Sequence, residues 1–186
     1  MSTKDWSLPI SCLSVDLEVR PGDDTINALG GVRSDRSESV TLPGTTRTLS
    51  RALSALDELG AGVDALLGHN VIAFDVPHLR AANPGLRLLR LPAIDTLRLS
   101  PLAHPANPYH HLVKHYQEGG LKRGRLNDPH LDSLLALELF ADQYEALGRA
   151  SPQLLTAWHW LTTLDEGMAG FDLVFSRVRN APPPGR

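Results

Sequence analysis

The clearest hydrophobic pattern in the chain is the segment from Ser11 to Val19, which alternates like a strand and predicts a β-strand. One side of this strand is apolar and consists of Leu13, Val15, Leu17 and Val19. The other side carries two carboxylates, Asp16 and Glu18. Residues two apart on a strand lie roughly 6.5–7 Å from each other on the same face. Because two carboxylates that close repel each other, the pattern favours a cation between them.

The rest of the chain alternates between short apolar runs and helical spacing. Apolar runs predict strands over 26–32, 40–42 and 63–69, and a shorter apolar stretch covers 88–91. Helical spacing predicts helices from Leu49 to a stop at Gly60, and over 75–82, 109–117, 128–147 and about 152–165. In the last of these, Trp158 and Trp160 point to opposite sides, so one of the two is expected in the core. This order favours an α/β domain whose mixed sheet begins as an antiparallel meander.

Length and composition fit one folded domain. The chain has 186 residues, 42% hydrophobic and 21% charged, which suits a single domain over 1–180 followed by a proline-rich linker or tail at 181–186. The net charge of −3 provides no overall basic field for nucleic acid. We find no signal peptide and no apolar run of about 20 residues, so we expect a cytoplasmic protein without a membrane partner. The single cysteine, Cys12, excludes an internal disulfide and reads as a core residue.

Two further acidic residues stand out by their position. Asp75 follows the apolar strand that ends at His69-Asn70, at the start of the next predicted helix. It could be an ordinary helix cap or a functional group. Asp132 lies one turn into the helix that Asp128-Pro129 opens, among leucines, and a carboxylate in such surroundings usually has a cation or a strong hydrogen bond.

Taken in order, these motifs resemble the DnaQ-like, or DEDD, 3′–5′ exonuclease family. The matching segments are Val15-Asp-Leu-Glu18, Gly68-His-Asn with Phe74-Asp75 and Leu79, Ile94-Asp-Thr-Leu97, and Asn127-Asp-Pro with Asp132. They span roughly residues 10–145, most of the chain. Each motif is common alone, whereas all of them in this order are a much more specific signal.

The resemblance implies an RNase H-like fold with a central mixed β-sheet flanked by helices. It also implies that Asp16, Glu18, Asp75 and Asp132 bind two divalent cations, Mg²⁺ or Mn²⁺, and that the chain is a 3′–5′ exonuclease. A pair of metal ions suits phosphodiester hydrolysis, since it can hold both the attacking and the leaving oxygen. In the family pattern Leu17 lies near the last base.

The chain departs from the family pattern at the general base. The family places a histidine five residues before the last aspartate, or a tyrosine four before it. Here those positions hold Asn127 and Asp128. Asparagine can orient a water but cannot accept a proton at neutral pH. We therefore expect weak activity or a base from elsewhere. The alternatives are a catalytically weak or inactive nucleic-acid binding module that keeps this fold, and a partner-docking domain whose acidic residues are unrelated in space.

Candidate substrate contacts lie close to the acidic motifs. Lys122, Arg123 and Arg125 form a basic stretch just before Asn127, which is either a solvated loop or a phosphate-binding segment. We also assign His69 and Asn70 to nucleic-acid binding. The segments 112–116 and 121–129 are similar to exonuclease domains fused to RecQ-like DNA helicases. This favours single-stranded DNA over RNA as the partner, and makes a covalent or non-covalent helicase partner possible.

Overall fold

The fold was analysed in a computed structural model, which describes residues 8–36, 38–42, 48–108, 110, 112 and 128–185. The strands are β1 (Cys12–Val19), β2 (Ile26–Arg33), β3 (Ser39–Leu42), β4 (Ala65–Gly68) and β5 (Ala93–Asp95). The helices are α1 (Leu49–Leu59), α2 (Asp75–Ala82), α3 (Thr96–Ala103), α4 (Pro129–Gly148), α5 (Pro152–Thr162) and α6 (Ala169–Arg179). Two 3-10 turns, Arg87–Arg90 and Glu166–Met168, complete the described elements.

The five strands form one mixed sheet in the order β3-β2-β1-β4-β5. The first three are an antiparallel meander, in which Asp16 pairs with Gly30 and Glu18 with Ala28. Strands β4 and β5 run parallel to β1 and continue the sheet on its other side. The predicted α/β class, with a mixed sheet flanked by helices, is therefore confirmed.

Each face of the sheet carries its own hydrophobic core, because successive side chains of a strand point to opposite faces. Leu13, Val15 and Leu17 of β1 pack with α1 and α2. Cys12, together with Leu67 of β4, packs with the helices of the opposite face, α3 to α6. The polar positions Ser14, Asp16 and Glu18 alternate with the first set, which directs them to the face covered by α4.

Most predicted elements agree with the structure in kind and nearly in length. Strand β5 and helix α3 were not predicted, and the apolar stretch 88–91 forms a 3-10 turn. The C-terminal helix α5 ends at Thr162, and a further helix, α6, which the sequence analysis did not predict, packs against it. The predicted helix over 109–117 lies outside the described residues except for positions 110 and 112. Within the part of the chain that the structure describes, no helix is long and apolar enough to cross a membrane.

Candidate metal centre

Three of the predicted metal ligands come together in space. Carboxylate oxygens of Asp16, Glu18 and Asp132 all lie within 4.8 Å of one another. Asp132 is buried, whereas Asp16 and Glu18 are half-buried and keep contact with solvent. Two of these residues come from β1 and the third lies more than a hundred residues later, so the cluster is a product of the tertiary fold.

A close backbone contact brings α4 to the acidic face of β1. Gly30 lies beside Asp16 on β2, and a Cβ atom built on Gly30 would be 2.3 Å from the carbonyl carbon and oxygen of Pro129. Only glycine permits this approach, since real Cβ atoms do not come that close to backbone. The hydroxyl of Ser14 also donates a hydrogen bond of 2.8 Å to the carbonyl oxygen of Ser133. Together these contacts fix the first turn of α4 over β1.

The start of α4 is set by its own sequence. Asp128 is the N-cap, and its Oδ1 accepts hydrogen bonds from the backbone N–H groups of His130 and Leu131, each 3.2 Å long. Pro129 occupies the first helical position, where its missing N–H costs nothing. The helix therefore begins at a defined residue, and Asp132 falls in its first turn.

The fourth predicted ligand, Asp75, lies beside this cluster at the first residue of α2. It is 1% exposed, and the helix has no side-chain N-cap, so Asp75 is not the helix cap that its position could indicate. Burial first, and then the negative charge of Asp16, raise the pKa of Asp75 from 3.8 to about 8, although the backbone N–H of Leu17 acts in the opposite direction. No donor among the described residues reaches its Oδ1. A buried carboxyl oxygen of this kind fits a cation.

A fifth carboxylate, that of Asp95, has a different role. It is fully buried at the end of β5 and caps α3 by accepting the backbone N–H groups of Leu97 and Arg98. It also accepts N–H groups from the β4–α2 loop, those of Asn70 at 3.0 Å and Ile72 at 3.2 Å. Asp95 thus holds the loop that leads into Asp75. The motif Ile94-Asp-Thr-Leu97 predicted no role for Asp95, although an aspartate directly before a helix start is the sequence signal for this cap.

The other predicted contact residues fall in three places. His69 and Asn70 lie at the C-terminal end of β4, where His69 Nδ1 is 2.9 Å from Thr96 Oγ1 and Asn70 has a left-handed backbone with φ of 68°. Leu17 stands between Asp16 and Glu18 in the sequence but faces the opposite side of the sheet, where it is buried with 4% of its surface exposed. The remaining predictions, Asn127, Lys122, Arg123 and Arg125, lie outside the described residues.

Two exposed apolar side chains stand next to predicted ligands in the sequence and were not predicted as substrate contacts. Phe74 is 37% exposed, directly precedes Asp75, and packs its ring against His78 with 4.6 Å between centroids. Leu131 is 36% exposed and directly precedes Asp132. The sequence alone did not mark them, because an apolar residue next to a polar one usually points into the core.

The donor set fits a hard divalent cation. Three carboxylates that converge within 4.8 Å offer the oxygen ligands that Mg²⁺ and Mn²⁺ prefer, and Asp75 supplies a further carboxyl beside Asp16. The cluster of Asp16, Glu18 and Asp132 could therefore bind a metal ion. No protein-family model matches this chain, and a search of curated proteins finds no match either.

Proposed function

We propose that the protein is a metal-dependent 3′–5′ exonuclease that hydrolyses single-stranded nucleic acid, with DNA as the favoured substrate. The observation that carries this proposal is the convergence of Asp16, Glu18 and Asp132 within 4.8 Å, with the buried Asp75 at their side. These are the four positions that the resemblance to DnaQ-like exonucleases selects. The mixed sheet is compatible with the RNase H-like fold that the same resemblance implies.

The four carboxylates would hold the two metal ions, which when bound supply the activation of water and the stabilisation of the leaving 3′-oxygen. The protein's own residues prepare the site. Asp16 and Glu18 are presented by a central strand and Asp132 by a capped helix, so the ligands are held on rigid elements. Asp75 and Asp132 are buried, whereas Asp16 and Glu18 are half-buried and open to solvent, from which a substrate strand would approach.

Substrate contact is supported by the exposed apolar residues next to the ligands. The face of an aromatic ring can stack on any base, which gives affinity without sequence preference. Phe74, held against His78, offers such a surface one residue away from Asp75. Leu131 offers a second apolar surface beside Asp132. The choice of DNA rests on the similarity to the exonuclease domains of RecQ-like helicases, which also makes a helicase a candidate partner.

The experiment is digestion of 5′-labelled single-stranded DNA and RNA of equal sequence, with Mg²⁺, with Mn²⁺ and with EDTA. We expect products that shorten by one nucleotide at a time, no digestion in EDTA, and no cleavage of circular single strands. Asp132→Asn should lower the rate by roughly 10²-fold or more, since it removes a ligand. Asp142→Asn, on the exposed side of the same helix, is the matched control and should act like the wild type. Equal rates for Asp132→Asn and the wild type would assign the digestion to a contaminant.

A second candidate is a module that binds metal and single-stranded nucleic acid but cleaves poorly. A specific observation favours it: Asp128, at one of the two positions where the family has its general base, is engaged in capping α4. Asn127, at the other, cannot take a proton. Loss of a general base typically lowers a rate by about 10²–10⁴-fold. Retained binding of the labelled strand with no shortening would favour this candidate, and a gain of activity in Asn127→His would identify the missing group.

A further inference from the structure

Helix α5 carries apolar residues on both of its faces. The buried residues of its inner side are Leu155, His159 and Thr162. Its outer side and the turn after it expose a second apolar set, which we name the α5 outer face: Leu154, Ala157, Trp160, Leu161 and Leu164. The four large residues of this set are 41–56% exposed. No described residue covers this outer face, and a contiguous exposed apolar patch of this kind marks an interaction surface.

The orientation of this face is fixed by polar contacts on the inner side of α5. His159 is fully buried, and its Nδ1 accepts a hydrogen bond of 2.5 Å from Arg179 Nη1 of α6. Because arginine can only donate, the proton of the imidazole lies on Nε2, which donates to Asp172 Oδ1 at 2.9 Å. Trp158 packs on Phe175 of α6 with 6.1 Å between ring centroids. These contacts hold the inner side of α5 against α6 and leave its outer face directed away from α6.

The outer face stands apart from the other exposed apolar residues. Among the described residues, the remaining large exposed hydrophobics are Phe74 and Leu131, which precede Asp75 and Asp132 in the sequence. Residues 150–164 contain no Asp, Glu, Lys or Arg. Surface helices that face water normally carry charges on that side, and depletion of charge is typical of the centre of a protein interface.

The spacing of the outer face is symmetrical about residue 159. Leu154 and Leu164 lie five residues before and after this position, and Ala157 and Leu161 lie two before and after it. If two copies of α5 pack antiparallel around a two-fold axis at this point, Leu154 meets Leu164 of the second copy and Ala157 meets Leu161 of the second copy. Such a contact places a small residue opposite a large one at its centre, and its repeat of three and four residues suits helix-to-helix packing.

The charges at the two ends of this segment are complementary in the same arrangement. Arg149 precedes α5 and pairs with Glu145 of α4 in an exposed contact, the kind of ion pair that contributes little and can be exchanged. Asp165 and Glu166 follow the turn after α5. In an antiparallel pair, the basic end of one copy lies beside the acidic end of the other. A parallel pair would bring like charges together.

We propose that the α5 outer face binds the α5 outer face of a second copy of this chain, antiparallel and around a two-fold axis. This is an isologous contact, in which one patch serves both subunits. Since the patch has far fewer residues than the roughly 20–30 that each side of a standard interface contributes, we expect a dissociation constant on the order of 10 µM. The proposal is independent of the proposed nuclease activity.

Sedimentation velocity of the whole chain over a dilution series, from micromolar to several hundred micromolar, tests the proposal. The wild type should pass from monomer to dimer within this range. Leu161→Glu places a charge at the centre of the outer face and should weaken association roughly tenfold or more. Ser50→Glu adds the same charge on the exposed side of α1 and should leave association unchanged. A wild type that stays monomeric throughout, or a Leu161→Glu variant that still forms the dimer, would overturn the proposal.

The antiparallel orientation has its own test. Arg149→Glu and Glu166→Arg should each weaken the dimer, and the double variant should restore it, because the exchanged charges meet again across the interface. Failure of the double variant to recover would overturn this orientation. Melting followed by circular dichroism checks that every variant is folded. If Leu161→Glu does not fold, Trp160→Ser takes its place, and dimerisation by that variant at the wild-type concentration would equally refute the interface.

Discussion

Asp75 is predicted to destabilise the metal-free protein, so Asp75→Asn should raise its stability. The side chain is almost fully buried, and its Oδ1 accepts no hydrogen bond from the described residues. Burial and the charge of Asp16 raise the pKa of Asp75 from 3.8 to about 8. An asparagine amide has the shape of the protonated acid and never carries the charge, so it avoids the penalty for ionising this group.

The sign and size of this change in stability follow from the pKa of Asp75 in the unfolded chain and in the folded protein. The folded protein holds the Asp75 proton more tightly than the unfolded chain, so its stability falls as pH rises from about 4 and stops falling above about 8. At ~1.4 kcal/mol per pKa unit the full penalty is at most about 6 kcal/mol. Local relaxation and water entry reduce such penalties, so Asp75→Asn should gain ~2–4 kcal/mol at pH 7.

The assay is urea denaturation in EDTA at several pH values between 4 and 9, followed by circular dichroism. The difference between Asp75→Asn and the wild type should be near zero at the acid end and grow through neutral pH. Asp95→Asn is the matched control: that carboxylate is equally buried but accepts four backbone N–H groups, so the same exchange should cost ~1–3 kcal/mol. An Asp75→Asn variant that is no more stable at pH 8, or whose gain does not vary with pH, would refute the reasoning.

Three further predictions concern metal binding, the contact between α4 and the sheet, and a buried arginine. Saturating Mn²⁺ should raise the melting temperature of the wild type by roughly 5–10 °C and EDTA should reverse this, whereas Asp16→Asn should show no shift. Gly30→Ala should lower the free energy of unfolding by ~2–4 kcal/mol and weaken Mn²⁺ binding, because its methyl group meets the backbone at the start of α4. The control is Gly148→Ala, which has open space at the Cβ position and should stay within about 1 kcal/mol of the wild type in the same urea denaturation assay. Arg33→Met should lower the free energy of unfolding by ~2–4 kcal/mol in the same assay, since the buried guanidinium pairs with Asp35 and donates to two backbone carbonyls. An unchanged midpoint of urea denaturation would contradict this.

Local sequence patterns predicted most of the described elements of this protein, with β5, α3 and α6 as exceptions. The alternation of 11–19 predicted β1, and Asp128-Pro129 predicted the first residue of α4, because both signals act through backbone geometry within a few residues. The same patterns identified Asp16, Glu18 and Asp132 as candidate ligands. Helix α6 was missed, since its short pattern is separated from α5 only by a turn that the sequence does not mark clearly.

Tertiary structure alone decided which carboxylates meet and what each one does. Asp75 and Asp95 both sit at helix starts in the sequence, yet one is buried without a donor at its Oδ1 and the other is fully engaged with N–H groups. Gly30 lacks a side chain and by local propensity weakens β2, yet it is the place where α4 touches the sheet. These distinctions depend on contacts between residues far apart in the chain, which no local pattern encodes. The distinctions arise when helices cover the two faces of the sheet, because this burial decides which polar groups accept hydrogen bonds.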